Sequence, residues 1–114
     1  MPGVFDEQVR HLGCMGHPAR RIDDLCDALR AGGNVTLVNG VPVSLGTNAA
    51  RMAMNAELFE KCAKAFILAS ATGGRVKALP WVVRHVANGR LMKDEKRARE
   101  SFSRGELPEE ARGY

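Results

Sequence analysis

The stretch Asn34-Val35-Thr36-Leu37-Val38-Asn39-Gly40-Val41-Pro42-Val43-Ser44-Leu45-Gly46 decides how the rest of the chain is read. Two short runs rich in β-branched residues flank Asn39-Gly40, the dipeptide that most readily supplies positive φ at both centres of a type I′ turn. The spacing predicts a tight β-hairpin. Pro42 has no N–H to donate, so the second strand must lie at an edge or turn that nitrogen outward. A wider loop at Asn39-Gly40 is the alternative.

Working downstream, Thr47 is the expected N-cap, with Asn48 in reserve, of a helix that runs to about Thr72. Gly73-Gly74 stop it. Met54, Leu58, Cys62, Ala65 and Leu68, with Phe59, Phe66 and Ala69 beside them, form a broad apolar face. Glu57/Lys61 and Glu60/Lys64 pair at i, i+4 on the other side. At 1.5 Å per residue such a helix is about 39 Å long, more than a half-domain can cover. Ala49, Ala50, Ala53, Ala56 and Ala63 allow close packing against another element or another subunit.

Upstream, Val4 to Leu12 lies between Pro2-Gly3 and Gly13 and reads as an extended entry followed by loop. Pro18 suits the first position of a helix. Ile22, Leu25, Cys26 and Leu29 share one face and Gly32-Gly33 provide a stop, which predicts a helix at about 18–31. Beyond the long helix, Pro80 opens a short helix carrying Trp81, Val82, Val83 and Val86 that ends at Asn88-Gly89. A charged helix from Leu91 to Arg104 then turns Leu91, Ala98 and Phe102 inward. The last ten residues, with Gly105, Pro108 and Gly113, read as a loosely held tail. The expected organisation is a single partial domain over 1–104 and a tail over 105–114. The fold class is α/β in the α+β sense: a β-hairpin packed with one long and several short helices.

Bulk properties narrow the function classes. The 114 residues carry a formal charge of +4, but the charges are interspersed as on most solvated surfaces. From Arg84 to Tyr114 there are eight Lys/Arg against six Asp/Glu. With no helix-turn-helix pattern and no aromatics interleaved with a basic stripe, these features argue against a nucleic-acid face. Aromatic residues make up only 5%, so the core must be built largely from Val, Leu, Met and Ala. A chain this small and this rich in Ala gains from a partner, and a homo- or hetero-oligomer is expected. Three cysteines at irregular spacing, and no charged-then-apolar leader, point to a cytoplasmic protein with reduced thiols. The apolar stretches fall short of the ~20 residues that span a bilayer, so no membrane association is expected.

His11-Leu12-Gly13-Cys14-Met15-Gly16-His17 places His, Cys and His at i, i+3 and i+6 in a glycine-containing loop. Three such ligands and a water make a catalytic zinc arrangement. The competing reading makes His11 and His17 surface residues and Cys14 a core filler. Cys26 and Cys62 are read as core residues on helix faces, and His85 as a surface histidine. Asp6 and Glu7 point to opposite sides of an extended segment and make poor acid/base partners. Arg20-Arg21 at a helix start either meet an anion or are ordinary surface.

From Met1 to about Pro80 the order of these signals resembles the C-terminal half of the class II aldolase/adducin family. Pro2 to Gly13 looks like the family's Pro-containing segment with an Asp-Glu pair, and Ile22 to Ala31 like the helix that follows. Asn34 to Gly40 and Val41 to Gly46 look like two strands, and Asn48 to Gly74 like the long Ala-rich helix. Enzymes of that family bind a divalent metal, usually zinc, through a His-x-His pair in the first half and a third His in a His-Gly at the hairpin turn. This chain has no His-x-His, and Asn39 stands where the third ligand is matched. An amide is a poor zinc ligand beside imidazole. The resemblance therefore implies a class II aldolase-like subunit of a metal-dependent carbon–carbon lyase or decarboxylase, with the metal site completed by a partner chain. The alternative it implies is a non-catalytic, adducin-like interaction module that has lost the site.

Overall fold

A computed structural model describes residues 1–30 and 32–108. It is an α+β arrangement with one two-stranded antiparallel sheet. β1 is Val35–Val38 and β2 is Val41–Ser44, paired Val35↔Ser44, Thr36↔Val43, Leu37↔Pro42 and Val38↔Val41. Asn39 and Gly40 have φ of 49° and 78°, the positive values a type I′ turn needs, so the two-residue turn forms and the wider loop does not. The ladder alternates outward from the turn. It puts Pro42 at a position whose N–H would face away from β1, and its missing donor costs no bond. The Leu45 N–H, three residues on, donates to the Asn34 carbonyl at 2.8 Å, in step with that alternation.

The outer edge of β1 does not stay open. Ala19 lies parallel to it, its N–H donating to the Leu37 carbonyl and its carbonyl accepting from the Asn39 N–H, both at 2.8 Å. This overturns the helix expected from Pro18. Backbone bonds to β1 hold residues around Ala19 extended, and helical geometry begins only with a 3₁₀ turn at Ile22–Asp24, followed by the single turn α1, Leu25–Ala28. A Cβ on Gly16 would overlap the Ala28 carbonyl, and one on Gly33 the Cys14 carbonyl. Residues 14–16 therefore pass in close backbone contact with Ala28 and Gly33.

The amino-terminal segment departs furthest from expectation. Gln8–Leu12 forms a π-helical turn, closed by the Gly13 N–H donating to the Gln8 carbonyl at 3.1 Å. Gln8, Val9, Arg10 and Leu12 are all buried. The Gln8 side chain satisfies the entry strand by accepting from Val4 and Phe5 N–H groups and donating to the Pro2 carbonyl. Both long helices pack on this turn rather than extensively on each other.

α2, Ala49–Ala71, is capped by Asn48, whose side chain accepts from the Arg51 N–H at 2.7 Å. The reserve candidate, not Thr47, caps it. Its inward face is centred on Asn55 and Cys62, with Leu58, Phe59, Ala65 and Phe66 half-buried, while Met54, Leu68 and Ala69 are exposed. The expected stripe is thus rotated by part of a turn, and 67–71 project beyond the core. α3, Trp81–Ser103, runs unbroken through Asn88-Gly89. Ala87, Leu91, Asp94, Ala98 and Ser101 recur at intervals of three and four, and this continuous inward face carries the helix past the glycine. Phe102 is exposed, contrary to expectation. Of the expected tail, 105–108 are tied back: Glu106 N–H donates to the Ser101 carbonyl at 2.9 Å and Pro108 is buried. Residues 109–114 lie outside the described residues. No described helix is long and apolar enough to cross a membrane.

Candidate functional site

A cleft of about 670 Å³ opens between the start of α2 and the length of α3. Arg10, Asn34, Gly46, Thr47 and Arg51 form one wall, and α3 with the 104–108 return forms the other. The walls are held by a relay of amide side chains. Asn34 donates from Nδ2 to the His11 carbonyl at 2.9 Å and from its N–H to the Leu12 carbonyl at 2.8 Å. Asn55, fully buried, donates from Nδ2 to the Leu45 carbonyl at 2.8 Å. Together with Leu45 N–H on the Asn34 carbonyl, these bonds fasten the π-helical turn to the hairpin and the hairpin to α2. The Ser44 hydroxyl adds a bond to the Met52 carbonyl at 3.0 Å.

Two arginines stand on this frame. Arg10, 4% exposed, forms an ion pair through Nη2 with Asp94 Oδ2 on α3 at 2.7 Å. Arg51 Nη2 lies 2.9 Å from His11 Nδ1. A guanidinium keeps its protons, so Nδ1 must accept and the imidazole proton sits on Nε2. Burial, then the charges of Arg51 and Arg10, hold His11 below its usual 6.5, against weaker opposing effects of Glu7 and Asp94. The imidazole is thereby kept as the neutral acceptor that orients Arg51. On α3, Glu95 also lines the cleft and is pushed upward by burial, with Arg99 opposing.

The metal-ligand candidates do not assemble. His11 is turned to Arg51, while Cys14 and His17 are exposed. The His17 contribution is its backbone carbonyl, which accepts from the Thr36 hydroxyl at 3.2 Å. Among the described residues no set of three His, Cys, Asp or Glu side chains is grouped to hold a metal ion. Asn39 is exposed at the tip of the turn. Cys14 and Cys26 are exposed rather than core, whereas Cys62 is buried and its thiol is pushed up by that burial, which leaves it protonated and unreactive at neutral pH. His85 is a surface residue in edge contact with Trp81, ring centroids 6.1 Å apart. Arg20 and Arg21 are exposed and outside the cleft.

Arg10, Asn34, Arg51, Asn55 and Asp94 were not legible as a site. Asn55 does carry a signal, a polar residue within an otherwise apolar helix face. The Arg10–Asp94 pair spans most of the chain and leaves none. No protein family, curated protein or solved structure matches the chain.

Proposed function

We propose that the chain is a class II aldolase-like subunit of a carbon–carbon lyase or decarboxylase, working in complex with a partner chain that brings the metal ligands. The observation that carries the need for a partner is the apolar surface left uncovered on both long helices. Leu68 and Trp81 are each 69% exposed, and Ile67, Val82, Val83 and Val86 are exposed with them. Burying a side chain of this kind contributes about 1.5–3 kcal/mol, and Trp is enriched at the energetic centres of interfaces. The order of hairpin, Gly46 and Asn48-capped Ala-rich helix supports the family part of the reading.

The described residues do not fit a metal of their own, since Asn39 offers an amide and no set of three His, Cys, Asp or Glu side chains is grouped among them. No step through a metal is therefore assigned to this chain. Its part is to cover and position the partner's catalytic half. Co-expression with a class II aldolase half that carries His-x-His tests this. A stable complex with bound zinc and lyase turnover is expected, and neither property from this chain alone. A tight homo-oligomer that takes up no such half would overturn it.

Asn39 also favours the second reading, a non-catalytic adducin-like module. On that reading complexes still form, but zinc content and turnover stay absent, and Asn39→His restores neither.

A further inference from the structure

We propose that the end of the molecule formed by the close of α2, residues 72–80 and the start of α3 docks peripherally on an anionic lipid surface. The first support is charge. Between Glu60 and Asp94 the chain has seven Lys/Arg and no Asp or Glu, which leaves ten Lys/Arg against thirteen Asp/Glu for all the rest. The charges interspersed elsewhere are segregated here, a composition that favours an anionic surface. Arg75, Lys77 and Arg84 are exposed, and among the described residues no acidic side chain pairs with them. At this end the entry segment contributes Asp6 and Glu7, and Glu7 is bonded to Lys61 at 3.0 Å.

The second support is the placement of these charges among apolar side chains. Along α2, Arg51 stands beside His11 and Lys61 beside Glu7; along α3, Asp94 stands beside Arg10 and Arg84 against Gly3. The closing end of α2 and the opening end of α3 therefore project in the same direction, past the amino-terminal segment. Residues 67–75 and 80–86 are exposed without interruption. Ile67, Leu68, Trp81, Val82 and Val86 stand out on this end, with Arg75, Lys77 and Arg84 among them. Side chains that project from two helix ends, exposed on every side, suit a fluid interface that conforms to them better than a rigid groove. Trp settles at the headgroup level, aliphatic side chains enter the acyl boundary, and Lys/Arg meet the phosphates.

Lipid docking goes beyond the lyase reading and does not rest on it. It engages the apolar surface left for a partner chain, so lipid and partner exclude one another, and co-expression decides the lyase reading separately. The isolated full chain is mixed with phosphatidylglycerol/phosphatidylcholine vesicles and, separately, with phosphatidylcholine vesicles. Binding is read by co-sedimentation and by Trp81 emission. Uptake by the anionic vesicles alone is expected, with a blue shift of Trp81 and release by high salt. Arg75→Gln and Lys77→Gln should each weaken it about fivefold, the scale of one basic residue at an anionic surface. Arg20→Gln, the same charge change on an exposed residue beside the hairpin, should leave it unaltered. All three positions are exposed, so the variants keep the fold, which circular dichroism checks. Equal uptake by phosphatidylcholine vesicles, uptake with Trp81 unshifted, or equal weakening by Arg20→Gln overturns the docking surface. So does no uptake at all, which leaves this end to a protein partner.

Discussion

Asn55 shows how much one side chain can hold in a protein with a thin core. It is fully buried among the apolar residues of α2, donates to the Leu45 carbonyl, and leaves Oδ1 without a hydrogen-bond partner among the described residues. Asn55→Ala loses that bond and strands the Leu45 carbonyl, at a cost of about 1–3 kcal/mol. Asn55→Asp should be worse at neutral pH, because it buries a carboxylate and sets its oxygen, rather than a donor, against the Leu45 carbonyl. Denaturant midpoints of the two variants check the order, and an Asp variant as stable as wild type would refute the account. His11 makes a second prediction at this scale. Its folded pKa lies below 6.5, so the unfolded chain binds its proton more readily than the folded one. The His11 contribution leaves stability undiminished above about pH 6.5 and lowers it as pH falls below that value. His11→Gln should flatten this part of the stability profile between pH 7 and 5, read from urea midpoints at each pH.

Among the elements, α3 is the one whose sequence most misleads. Asn88-Gly89 is a strong stop signal, and the helix nevertheless continues across it. A glycine inside a helix costs about 1 kcal/mol relative to alanine, less than the continuous inward face from Ala87 to Ser101 returns by packing. Gly89 is exposed, with no atom within 4 Å of where a Cβ would stand. Gly89→Ala is therefore expected to stabilise the protein by about 0.5–1 kcal/mol, visible as a higher thermal midpoint; a lower one would mean that the helix is broken there. At α2 the contribution is at the cap. Asn48→Ala removes the acceptor for the Arg51 N–H, with an expected loss of about 1 kcal/mol. It should also loosen the Arg51 contact to His11, so the His11 pKa should move back toward 6.5 in the same variant.

For the molecule as a whole, the exposed apolar ends of α2 and α3 set the testable expectation. Trp81 is the single tryptophan, and it is largely solvent-exposed in the isolated chain. Its emission should be red-shifted and open to acrylamide quenching when the chain is alone, then blue-shifted and protected when a partner covers the start of α3. Trp81→Lys should abolish that association while leaving the fold of the isolated chain intact, as judged by circular dichroism. A Trp81 already protected in dilute isolated chain would remove the basis for the partner.

The division between what the residues dictate locally and what the assembled chain decides runs along range. The turn at Asn39-Gly40 was legible because its φ values are a property of two adjacent residues. The existence of α2 was legible too, since its periodicity and its glycine stop act within one segment. What could not be read locally was the fate of segments whose partners lie far along the chain. Residues around Ala19 are extended because β1 offers an unpaired edge, and Gln8–Leu12 is buried because both long helices close over it. The cleft follows the same rule: Arg10 meets Asp94 and His11 meets Arg51 across long stretches of chain, on a frame in which the hairpin fastens the first turn to α2. The sequence by itself determined the hairpin, the existence of the long helix and its stop. Tertiary structure alone decided which polar residues share a site, because long-range hydrogen bonds and burial, not local preference, bring them together.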